Sequence, residues 1–95
     1  MIERHITFNV LPDRVTEFER FFADEYRPAA AKSPRLVDIA LLREDGQASR
    51  YQMVFRWQDG DAAAGWRTSP EHQALQPGLN ALHAGMEIVA YEVVA

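Results

Sequence analysis

Apolar and polar positions along the chain change period four times. Residues 2 to 10 alternate Ile2, Ile6, Phe8 and Val10 with Glu3, His5, Thr7 and Asn9, the two-residue repeat of a strand with one buried face. Arg4 is the one charge on the apolar side. Pro12-Asp13 then opens a helix whose buried stripe is Val15, Phe18, Phe22 and Tyr26, with Phe21 beside it and Glu17, Arg20 and Asp24 toward solvent. Pro28 predicts a kink or a short second piece through Ala29-Ala30-Ala31-Lys32, ending before Ser33-Pro34. Leu36 to Arg43 is nearly continuously apolar except for Asp38, as in a strand covered on both faces. Asp45-Gly46 marks the hairpin turn that follows.

Tyr51, Met53, Phe55 and Trp57 next alternate with Arg50, Gln52, Val54 and Arg56, giving a third strand with one strongly apolar face. Asp59-Gly60-Asp61 stops it, and Asp61 is the expected cap of a short helix through Ala62 and Trp66. Ser69-Pro70-Glu71 restarts a helix on which His72, Leu75, Leu79 and Leu82 share one stripe. Met86 to Val94 completes the pattern as a fourth strand, and His83 before it is expected at a helix end facing solvent. The order βαββαβ, with right-handed crossovers, predicts an α+β ferredoxin-like domain over residues 1–95. Its four antiparallel strands run in the spatial order 4-1-3-2 with the helices on one face. Strands two and four carry apolar residues on both faces, so the open face is expected to be covered by a second copy of the chain.

Composition narrows the chemistry. A chain of 95 residues buries only ~60–65% of its unfolded surface on folding, which also favours a partner subunit. The absence of cysteine removes disulfides, thiolate metal sites and cysteine nucleophiles. A net charge of -4, with Lys and Arg scattered, argues against nucleic acid and anionic membrane as partners. No apolar run is long enough to span a bilayer. Met1-Ile2-Glu3-Arg4-His5 lacks the basic start and apolar core of a signal peptide, so the mature chain is expected to begin here and to be cytoplasmic.

The candidate chemistry gathers around the third strand and the helices after it. His72 lies at a helix start, where the positive end of the dipole disfavours imidazolium and would keep a neutral, proton-accepting ring. The competing assignment is a core imidazole packed on Trp66. Trp66 and Trp57 would wall a cavity for a flat ring, or simply fill the core. Adjacent first and third strands place His5, Thr7 and Asn9 near Gln52 and Arg56 on one face, as a pocket wall or a polar layer inside a dimer. Arg56 would hold a phenolate or carboxylate, or else pair with Glu87 or Glu92. His5 and His72 have no metal-ligand spacing, and there is no Ser-His-Asp order or phosphate-cradling glycine loop.

Trp57, the Ala-rich helical turn after it, Trp66-x-x-Ser69-x-x-His72, and Pro77 with Leu82 behind it resemble the antibiotic biosynthesis monooxygenase domains. The Pro12 helix start, Leu41-Leu42-Arg43 and Tyr91-x-Val93-Val94 extend the likeness across the chain. The resemblance implies a dimeric α/β barrel of ferredoxin-like subunits with a cavity between sheet and helices in each. It implies cofactor-independent oxygenation of a small aromatic, phenolic or quinol-like substrate, which needs a base, an anion partner and a dry aromatic pocket. On that basis His72 and Arg56 are the expected catalytic residues, and Trp66, Tyr51, His5 and Asn9 the expected substrate-binding ones, with no metal or cofactor. The alternatives are a non-catalytic ligand-binding module and, ranked lower, a haem-degrading enzyme, whose axial histidine would fall at Gln76. Arg35 departs from the family's frequent glycine at the entry to strand two, a matter of turn geometry.

Overall fold

The computed structural model describes residues 1–95. Its strands are β1 (Ile2–Val10), β2 (Leu36–Arg43), β3 (Arg50–Trp57) and β4 (His83–Glu92), joined as one antiparallel sheet in the order β2-β3-β1-β4. This is the 4-1-3-2 order expected from the sequence. Its register pairs Arg4 with Phe55, Ile6 with Met53 and Phe8 with Tyr51, so the apolar sides of the two central strands fall on the same face. Arg4, Ile6, Phe8 and Val10 of β1 and Tyr51, Met53, Phe55 and Trp57 of β3 are all buried there.

The helices that cover this face begin with a 3-10 turn at Pro12–Arg14, then α1 (Val15–Phe21), a π-helical turn at Phe22–Tyr26 and α2 (Arg27–Ala30). The kink expected at Pro28 takes the form of that π turn. The Arg27 N–H reaches back five residues to the Phe22 carbonyl, widening the spiral where the Pro28 ring would otherwise meet the Asp24 carbonyl. Phe18, Phe22, Tyr26 and Ala30 stay on the buried side. After β3 come α3 (Gly60–Arg67) and α4 (Pro70–Asn80). The cap of α3 is Asp59, whose side chain accepts from the Ala62 N–H at 2.8 Å, and the expected cap Asp61 sits in the first turn instead. Ser69 caps α4 as expected, accepting from the His72 N–H at 3.1 Å.

Two turns differ from simple expectation. Arg35 has φ 66°, the left-handed region a glycine would occupy at no steric cost. Its guanidinium is tied to Asp59 at 2.6 Å and its carbonyl accepts from the Gln58 N–H at 3.0 Å, and these bonds hold the strained turn. His83 is the first residue of β4 rather than a solvent-facing helix end. Its ring packs edge-on against Phe8 at 5.1 Å and neither ring nitrogen has a partner, because the strand starts earlier than the apolar alternation suggested. Burial, only partly opposed by a backbone contact with Gly85, pushes the His83 pKa down.

The opposite face of the sheet has no helix on it. Leu42, Val89 and Tyr91 point there and are 49%, 42% and 50% exposed. Glu3, His5, Thr7 and Asn9 run down its centre beside Arg56, Gln52 and Arg50. No helix of the chain is long and apolar enough to cross a membrane.

Candidate active site

The break at Thr68-Ser69 separates two helical directions, so Trp66 at the end of α3 and His72 in the first turn of α4 both turn toward the sheet. Their rings meet edge-on with centroids 5.2 Å apart. The π turn adds Tyr26 to the same cluster, edge-on to Trp66 at 5.7 Å and to His72 at 6.4 Å. Below these rings lies a cavity of about 170 Å³. Arg4, Ile6 and Phe8 of β1, Phe55 of β3, and Met86 and Ile88 of β4 form its floor, while Gln76 and Leu79 of α4 and Arg67 close its sides. A larger cleft of about 350 Å³ lies on the outer side of Trp66, but charged residues including Lys32, Arg35, Asp61 and Glu71 line it and it is open to water.

The electrostatics of the inner cavity are uneven. Burial lowers the pKa of His72, the positive charge of Arg4 lowers it further, and a backbone contact with Arg67 only partly opposes them. The ring is therefore neutral at pH 7, as expected from sequence, although burial rather than the helix dipole is the leading cause. His72 Nε2 lies 3.2 Å from the Gln76 side-chain amide nitrogen, and Nδ1 has no hydrogen bond of good geometry. A half-turn of the Gln76 amide exchanges donor for acceptor, so the pair accommodates either tautomer. Nδ1 is itself buried, so Nε2 beside Gln76 is the nitrogen left to exchange a proton. Burial pushes the Tyr26 hydroxyl up to about 12, against smaller opposing effects of the Trp66 indole and Arg4. The Trp66 Nε1–H has no partner of bonding geometry. An imidazole, a phenol, an indole and two arginines thus border one mainly apolar space.

Not every candidate named from sequence reaches it. Trp66 and His72 line the cavity. Arg56, His5 and Asn9 do not, because two-residue alternation places them on the other face of the sheet. Arg56 binds Glu3 through Nε at 2.9 Å and Nη2 at 2.7 Å, rather than Glu87 or Glu92. His5 contacts the other oxygen of Glu3 at 2.7 Å and packs against Tyr91 with centroids 4.8 Å apart. Asn9 accepts from Arg50 at 3.0 Å, and Gln52 donates to Thr7 at 3.2 Å, so the polar set expected on one face is assembled there. Tyr51 is on the helix side but at the far end of β3, where its hydroxyl donates to Glu19 beside a separate polar cleft. Burial first, and then Glu19, push its pKa up. Sequence reasoning assigned no site role to Arg4, Tyr26 or Arg67. Arg4 carried a visible signal as the lone charge on the apolar side of its strand. Tyr26 was legible as a member of the buried stripe of its helix, but not as a neighbour of Trp66 and His72. No three histidine or acidic side chains converge to hold a metal.

The family model for antibiotic biosynthesis monooxygenase matches residues 1–78. The fold superposes on SnoaB, a cofactor-independent oxygenase from Streptomyces nogalater, with a TM-score of 0.86 and 26% identity over 99% of this chain and 93% of that one. A candidate antibiotic biosynthesis monooxygenase from Caulobacter crescentus gives 0.89 and 22% over 99% and 90%. A conserved protein from Methanosarcina mazei gives 0.86 and 20% over 95% and 89%. None of the curated proteins matches the chain.

Proposed function

Because the chain belongs to the antibiotic biosynthesis monooxygenase family, we propose that it is a cofactor-independent monooxygenase acting on a small aromatic substrate of phenolic or quinol type. The observation that carries this is a mainly apolar cavity bordered by an imidazole held neutral by burial and an indole, their rings 5.2 Å apart. Its volume of about 170 Å³ matches the ~150 Å³ apolar cavity that takes up benzene, which sets the substrate at one ring. An open cavity also favours an enzyme over an accessory module with a filled core. For haem the space falls well below the ~300 Å³ at which pockets for larger ligands begin, and Gln76 offers no axial imidazole.

In this cavity His72 removes the phenolic proton, leaving an electron-rich phenolate that reduces dioxygen. One oxygen atom bonds the ring carbon opposite the phenolate. The other leaves as water with the phenolic proton and the displaced ring hydrogen, so phenol and dioxygen become quinone and water with no external reductant. Trp66 and Tyr26 hold the ring and keep water out. Incubation of the purified chain with monocyclic phenols and quinols should consume dioxygen without added metal, flavin or haem. A complete lack of uptake across such a panel would refute the proposal.

We place the enzyme in the cytoplasm as a homodimer joined through the helix-free face, where exposed Leu42, Val89 and Tyr91 flank the polar centre. Such a contact should exceed the ~1,000 Å² typical of biological interfaces. Sedimentation at micromolar concentration should show one dimeric species, and Val89→Arg should shift it to monomer. A wild-type monomer would contradict this assembly.

A further inference from the structure

We propose that Arg4 is a built-in oxyanion site, selecting a monocyclic aromatic ligand that presents a negatively charged oxygen to it, a ring carboxylate on entry or the phenolate left once His72 has taken the proton. The placement of Arg4 on the apolar side of β1 has no structural explanation within the chain. Its side chain is only 8% exposed and is the single buried charged group. The ion pairs of the protein join His5 and Arg56 to Glu3, Arg14 to Glu17, Arg35 to Asp59 and Arg50 to Glu44; none includes Arg4. Its strand neighbours in register are Phe55 and Ala90, neither of which has a side-chain acceptor. The cavity walls contain no aspartate or glutamate, and Arg67 adds a second cation. Tyr26 and Arg67, rather than any carboxylate, are the charged or titratable groups whose fields reach the guanidinium.

The stem of Arg4 is buried while its guanidinium nitrogens, unpartnered within the chain, reach the cavity, and a charge so placed on an apolar face adds little to folding. Arg4 therefore gains its counter-charge from outside the chain. A planar fork of N–H donors fits a carboxylate through two parallel bonds and a phenolate through one. The rest of the space is apolar and aromatic and admits one ring. This inference rests on the cavity assigned above to the oxygenase substrate, but it concerns binding and needs no turnover.

Titration calorimetry of the full chain under nitrogen at pH 8 tests it, with benzoate, 4-nitrophenolate and the neutral benzyl alcohol as probes. At least one anion should bind ~10-fold or more tightly than benzyl alcohol, and the better of the two identifies the source of the charge. Arg4→Met should remove the preference and melt no lower than wild type, while Arg4→Lys should keep part of the preference. Equal binding of anions and alcohol by the wild type, or an anion preference that survives in Arg4→Met, overturns the proposal. Anion selection without dioxygen uptake on any phenol leaves the Arg4 site standing and refutes the oxygenase. Uptake on neutral phenols without anion selection does the reverse.

Discussion

Replacing His72 with alanine should lower turnover ~10²-fold or more while leaving the fold and ligand binding largely intact, the usual scale for removing a positioned general base. The ring is only half buried and caps no helix, since the hydrogen bond from its residue to Ser69 uses the backbone N–H. The wild-type rate should rise with pH through a value below the ordinary imidazole pKa of ~6.5 and be flat at neutrality, because burial and Arg4 favour the uncharged ring. That acid limb should vanish in His72→Ala. Linkage gives stability the same sign. His72 and His83 both have lowered folded-state values, so their contribution is present above ~6.5 and lost as pH falls through the folded values. A rate indifferent to His72→Ala would remove the imidazole from the mechanism and leave Tyr26 as the next proton-transfer candidate.

Trp66→Ala should act on both the fold and the site. The indole is 3% exposed and belongs to the continuous core, so truncation should cost ~3–5 kcal/mol. That is a large share of the ~5–15 kcal/mol available to a domain. It also removes the ring against which Tyr26 and His72 both pack edge-on. Trp66→Phe keeps an aromatic wall and should fold normally while weakening binding of a ring-bearing ligand. Chemical denaturation and titration of the two variants separate the effects. A Trp66→Ala protein as stable as wild type would show that the cavity collapses around the missing ring and that Trp66 is no wall.

The parts of this molecule that were legible in the sequence are those fixed by short-range periodicity. Alternation along β1 and β3 assigned each side chain to a face, and the crossover rules assigned the strand order. The Ser69-Pro70 signal placed His72 in the first turn of its helix. The polar set of His5, Thr7, Asn9, Gln52 and Arg56 was also placed together correctly. What the pattern could not supply was the side of the sheet on which a cavity opens. One face was closed by helices and the other left bare, so Arg56, His5 and Asn9 were separated from His72 by the thickness of the sheet. Arg4 entered the site through a feature outside simple periodicity, a charge on an apolar strand face, while Tyr26 was placed on the buried side by its period and brought against Trp66 and His72 only by the packing of two distant helices.

On the proposed chemistry this chain alone inserts one atom of dioxygen into an aromatic ring. Incubating metal-free, flavin-free and haem-free protein with a monocyclic phenol under ¹⁸O₂ tests it most directly. The quinone product should carry one labelled oxygen, with the second recovered in water, and the labelled product should fall at least tenfold in His72→Ala. Unlabelled product, two labelled atoms in the quinone, or activity that appears only with an added metal or flavin would rule out this chemistry.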